Sequence, residues 1–123
     1  LEAESIAVSS AASGVYIRDV LFPRLGIADQ LRPKLRIPPS GPVAVLLVRG
    51  EAQIALQQIP ELIGTDGVEL VGPFPPEAQQ AFTYAAGLAE RATHRSGAPA
   101  LIDFMRSEDA RDYIHRAGMD PVH

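Results

Sequence analysis

The sequence predicts an α/β fold, and three observations carry that prediction. Short apolar segments with strand-like patterning alternate with stretches of helical spacing, and prolines and glycines fall at the boundaries between them. Within 123 residues, 46% hydrophobic against 21% charged residues is the balance of one globular domain. An obligately disordered tail is thereby excluded. The eleven prolines and ten glycines follow no repeat, so they punctuate a folded chain and do not mark low complexity.

Ser5 to Ser9 alternates apolar with small or polar residues and predicts a strand, and Ser10 to Gly14 then supplies a loop and a helix start. From Val15 to about Leu25 the apolar Ile17, Leu21 and Leu25 recur at i, i+4, with Arg18, Asp19 and Arg24 toward water, which predicts an amphipathic helix. Pro23 lacks the N–H that would bond the Asp19 carbonyl, so the helix is expected to kink or end early there. Gly26 suits the left-handed position beyond its end.

Ala28 to Arg36 is a polar, basic stretch. Pro38 to Pro42 is a stiff turn that delivers a second helix, Val43 to Arg49, apolar on nearly every side and therefore expected to be buried. A strand is predicted over Ala52 to Gln58, a short helix over Glu61 to Ile63 behind Pro60, and a strand over Val68 to Val71. The ring of Phe74, between prolines, is expected to pack into the core. Gln80 to Ala89 fits either strand or helix, and Thr83-Tyr84 favours strand. Ser96 is placed to cap a helix carrying Leu101, Ile102 and Met105, with Pro99 in its first turn. Ser107-Glu108-Asp109 opens a final helix whose expected buried stripe is Tyr113, Ile114 and Ala117.

Composition removes whole classes of chemistry. The chain has no cysteine, which excludes disulfides, thiolate nucleophiles and sulfur-ligated metals. His94, His115 and His123 include no pair at the spacing that sets two ligands on one helix face, so no protein-bound metal or other cofactor is expected. A net charge of −4 is opposite to the footprint of a nucleic-acid binder. No run approaches the ~20 apolar residues that span a bilayer, and Leu1 to Ser5 carries no signal-peptide features.

A serine nucleophile among Ser9, Ser10 and Ser13 would need a base. His94 is the only central histidine and no G-x-S-x-G elbow accompanies it, so capping is the better reading of these serines. Asp19, Asp66, Asp103 and Asp112 lie on separate elements and give no support to paired-carboxylate catalysis. Two helix starts, Ser10 to Gly14 and Ser40 to Val43, offer unpaired N–H groups that suit an oxyanion without Lys or Arg. Gln57 and Gln58 close a strand at its carboxyl end, where open α/β sheets bind ligands, and add neutral donors.

Several ordered blocks carry a family resemblance. Ser13-Gly14-Val15-Tyr16, Leu21 through Lys34, Val48 through Ala55, Val68 through Pro73, Phe104 through Arg111 and Ala117 through Pro121 resemble the molybdate-binding branch of the type II periplasmic substrate-binding proteins of ABC transporters. The resemblance implies a three-layer lobe with a mixed sheet flanked by helices, residues 1–123 forming one α/β lobe, the second of a two-lobed clamshell. It implies a non-enzymatic solute-binding component of an importer, acting outside the cytoplasm with a membrane permease as partner. Carried over by position, Ala12, Ser13 and Gly14 are the first helix start at the cleft and Val43 is the backbone donor of the second. Gln57 and Gln58 fall where molybdate binders place a tyrosine hydroxyl. That departure leaves another oxyanion or a small carboxylate open as ligand. Family members carry a first lobe ahead of the strand that starts here. Half a clamshell leaves an anion to compete with water, so this piece is expected to bind weakly and to expose surface suited to a homodimer. A ligand-sensing module of a regulator is the alternative; an enzyme ranks third.

Overall fold

The computed structural model describes residues 2–93 and 96–121. Leu1, His94, Arg95, Val122 and His123 lie outside them, and with His94 the one histidine considered as a base. The chain divides between residues 80 and 81 into two compact units.

The first unit is built on strand β1 (Ile6–Val8), which pairs in parallel with β2 (Leu35–Arg36) on one side and β3 (Ile54–Leu56) on the other. The register sets Ile6 opposite both Leu35 and Ile54, and Val8 opposite Leu56. All three residues of β1 are buried, the pattern of a parallel strand covered on both faces. Alternation then sorts them. Ile6 and Val8 pack with Ile17, Phe22 and Leu31, whereas Ala7 packs with Val43 and Ala52. Helices therefore cover both faces of the sheet, giving three layers. The resemblance implies a mixed sheet; the three strands seen here all run parallel.

The first connection is a helical stretch made of α1 (Ala12–Tyr16), a π-helical turn Ile17–Leu21 and α2 (Phe22–Arg24). Helical backbone continues through Pro23 as far as Arg24. The wider turn just ahead of it, in which the Phe22 N–H donates to the Ile17 carbonyl, relieves the crowding that proline imposes on a regular α-turn. Leu25, expected on the buried stripe, is exposed because the extra residue of the π turn rotates it off the face of Ile17 and Leu21. Gly26 sits at φ +69° and ends the helix as predicted.

The basic stretch holds α3 (Ala28–Leu31), a 3-10 turn Arg32–Lys34 and the unforeseen strand β2. Helix α4 (Ala44–Val48) is shorter than expected and only one-sided in its burial, with Val43 and Ala44 inside and Val48 out. Beyond β3, Pro60 lies within a 3-10 turn Ile59–Glu61. The predicted strand Val68 to Val71 does not form: the segment pairs with no other among the described residues, and Val71 is 97% exposed. Phe74 packs against the Ile6 cluster as expected. The segment that follows is tied to the first helical stretch, since Tyr16 Oη donates to the Ala78 carbonyl at 3.2 Å and Arg24 Nη2 to that of Glu77 at 2.7 Å.

In the second unit, residues 81–89 are neither strand nor helix. Helices α5 (Gly97–Met105) and α6 (Glu108–Arg116) follow. Ser107 stands at the start of α6, but its hydroxyl donates backward to the Phe104 carbonyl at 2.7 Å and so ties the two helices together. The predicted buried stripe of α6 is corrected: Tyr113 is 63% exposed, its ring 6.4 Å from that of Phe104 and under the Arg116 guanidinium, and Ala110 is the buried residue instead.

Candidate functional site

Three parallel strands present their carboxyl ends at one edge of the first unit's sheet. Because Val8 is registered with Leu56, the residues that follow them, Ser9 and Gln57, leave the sheet side by side. The connection after β1 runs to the face covered by Ile17 and Phe22, and the connection after β2 runs through α4 to the opposite face. Neighbouring strands whose connections part in this way open a crevice at their carboxyl ends. The first helix start and the two glutamines, noted separately in the sequence, thus meet at one edge.

The approach of helix to strand is close. Ser9 is buried, its Oγ accepting the Ala11 N–H at 2.9 Å, a turn that swings the chain directly into α1. Gly14 then lies so near the strand end that a Cβ built on it would stand 1.7 Å from the Ser9 carbonyl oxygen. No other residue fits there. Of the three small residues predicted at this start, Ala12 is exposed at the edge, while Ser13 and Gly14 are packed inward.

Two polar atoms at this site are orphaned. Ser13 is only 4% exposed, and neither its Oγ nor the buried Oε1 of Gln57 has a hydrogen-bond partner among the described residues. A buried polar atom left unpaired costs about 1–3 kcal/mol. The orientation of the Gln57 amide is fixed on its other side, because Nε2 donates to Glu61 Oε2. Glu61 is exposed, so its carboxylate is accessible from solvent beside the edge. Gln58 is half-buried and has an interaction partner. Val43 is fully buried with its side chain in the core against Ala7 and Ala52. It precedes α4, as expected of the second helix start, but its side chain faces away from solvent.

Sequence reasoning missed Ser9, which looked like one more capping serine, and Glu61, which looked like the acid of a short helix. The spacing Gln57 to Glu61, four residues apart, is the signal that could have linked the glutamine to a carboxylate. Chemically the edge offers backbone and side-chain donors and one accessible carboxylate. Among the described residues no group of three or more His, Asp or Glu is arranged to hold a metal ion.

Residues 3–120 match the family of bacterial extracellular solute-binding proteins. The chain belongs to that family. It is also 37% identical, over 121 residues, to an aconitate isomerase of a Pseudomonas species. That alignment takes in 98% of this chain and 46% of the relative, so the chain spans less than half the relative's length. No solved structure matches it. The expectation that the chain has no part in an enzyme is overturned by this relative, an enzyme by name, matched along nearly every residue here. A solute-binding fold and an isomerase name are compatible in physical terms: a cleft that holds a small acid becomes catalytic once a proton-handling group faces the bound molecule.

Proposed function

We propose that this chain forms one wall of a site for a small organic polycarboxylate at the carboxyl edge of its sheet, and that in the intact protein the bound acid is isomerised. The observation that carries the reading is the 37% identity to an aconitate isomerase over 98% of the chain. Backbone N–H groups at the start of α1 and the Ser13 hydroxyl suit carboxylate oxygens, which accept hydrogen bonds only. A molybdate-like oxyanion shares that donor chemistry, but the aconitate relative favours the carboxylate.

Exchanging geometry about a carbon–carbon double bond requires the π bond to be delocalised for a moment. Removing a proton from the methylene beside the double bond of aconitate does so, leaving an allylic anion spread onto the adjacent carboxylate. Returning the proton to the far allylic carbon moves the double bond and regenerates aconitate. Glu61, held by Gln57, is our choice for the carboxylate that takes and returns this proton.

Calorimetric titration with cis-aconitate, trans-aconitate and molybdate tests the ligand, and proton NMR in D2O tests the reaction. Heat from an aconitate isomer and none from molybdate is expected, with deuterium entering the methylene position. Heat from molybdate alone would reverse the assignment. Glu61→Gln should keep binding and lower the exchange rate about a hundredfold or more. Equal rates in both proteins would take Glu61 out of the chemistry.

A second reading is solute capture for an importer outside the cytoplasm, delivering the acid to a membrane permease; the extracellular solute-binding family match favours it. Binding of aconitate with no deuterium uptake is its signature.

A further inference from the structure

Helices α5 and α6 carry an aromatic patch that no other described residue of the second unit covers. The Phe104 ring of α5 lies tilted, 6.4 Å from the Tyr113 ring of α6, and joins the two helices into one surface. Phe104, Met105 and Tyr113 are all exposed. The Arg116 guanidinium stands 4.9 Å over the Tyr113 ring. Single exposed apolar side chains are ordinary, but neighbouring aromatics with a methionine and an arginine beside them have the make-up of a protein interface.

The order of charges along α6 decides what fits this surface. Asp109, Tyr113 and Arg116 follow one another at spacings of four and three residues, which sets an acid, an aromatic ring and a base in a row on one face. At about 1.5 Å of rise per residue the acid and the base stand about 10 Å apart, with Tyr113 near the midpoint. Asp112 is turned about 100° from Tyr113 and lies at the rim. Glu108 is held by Arg111 at 3.2 Å and His115 stands 3.7 Å from Asp120, whereas neither Asp109 nor Arg116 is in an ion pair with a described residue. A half-turn about an axis through the midpoint exchanges the two ends of the row. Each Asp109 then meets the partner's Arg116, and the two helix dipoles run antiparallel. The row complements its own reverse.

We propose that the occupant is a second copy of this chain, and that the chain forms a two-fold homodimer by antiparallel packing of α6. Tyr113 and Phe104 lie at the centre, and two pairs of Asp109 with the partner's Arg116 close the ends. A foreign helix would need the same charge order reversed, whereas a second copy has it by symmetry. The second copy also supplies an opposing layer for a unit in which Ala110 is the buried apolar residue among those described. This interface is independent of the polycarboxylate reading above.

Sedimentation equilibrium of the full chain should show a concentration-dependent passage from monomer to dimer. Tyr113→Ser and the charge reversals Asp109→Arg and Arg116→Asp should each weaken the dimer about tenfold or more, because two-fold symmetry counts every change twice. All three side chains are exposed, and circular dichroism of each variant should keep the helical signal of the parent. An equimolar mixture of the Asp109→Arg and Arg116→Asp chains should dimerise about as tightly as the parent, since the reversed acid of one chain then faces the reversed base of the other. Recovery in the mixture also shows that both variants fold. A monomer at every concentration up to about 500 μM, weaker than any specific dimer of use, overturns the proposal and leaves the face to a different protein. A dimer indifferent to the three changes overturns it by placing the contact elsewhere, and a mixture no tighter than its components overturns the antiparallel pairing.

Discussion

The two units of this chain are held by different physics. In residues 1–80 a parallel sheet gathers segments distant in sequence, and its two faces supply most of the buried apolar residues, Ile6, Val8, Ile17, Phe22 and Leu31 on one side and Ala7, Val43 and Ala52 on the other. In residues 81–123, Ala110 is the buried apolar residue among those described, while Leu101, Phe104, Met105 and Tyr113 are exposed. The first unit is fixed by burial between elements. The second rests on local helix geometry, with acids in the first turn of α6, His115 and Arg116 in its last, and the Ser107 bond back to Phe104. Apolar side chains thus contribute little where a unit's own described residues supply no opposing layer, however regular their spacing.

Substitutions ranked by expected effect sharpen that contrast. Gly14→Ala should be the most damaging, about 3 kcal/mol or more, because its methyl would overlap the Ser9 carbonyl and push α1 off β1. Chemical denaturation measures it, and a loss below 1 kcal/mol would mean that the helix start yields easily. Val43→Ala should cost about 2 kcal/mol by opening a cavity against Ala7 and Ala52. In the second unit, Ser107→Ala removes one hydrogen bond and should cost about 1 kcal/mol, seen as a loss of helical signal on melting. Leu101→Ser should change stability by no more than about 0.5 kcal/mol, since the side chain is 59% exposed. A cost near that of Val43→Ala would break the comparison and show that Leu101 is buried in solution.

Much of the first unit was legible. Ile6 to Val8 and Ile54 to Leu56 read as strands because short apolar runs between turn residues have few other uses. Gly26 and Pro42 marked helix boundaries through backbone geometry alone. β2 was hidden, since two residues within a basic stretch show no periodicity; only pairing with β1 makes them a strand. Val68 to Val71 was the reverse case, a strand pattern that finds no partner among the described residues. The π turn at Ile17–Leu21 could not be read because regular spacing assumes the turn it replaces, and that error carried Leu25 to the wrong face.

The candidate site divides in the same way. The sequence by itself determined which chemistries were available: no thiol, no sulfur-ligated metal, small residues and Pro42 ahead of helices, and neutral glutamines after a strand. Resemblance added the solute-binding family. Tertiary structure alone decided that the start of α1 and Gln57 share an edge, that Ser13 and Gln57 keep unpaired buried atoms, and that Gln57 turns its amide to Glu61. The reason is physical. Residue type and spacing act through the nearest few peptide units, whereas these juxtapositions follow from parallel register and from crossovers that join segments some tens of residues apart.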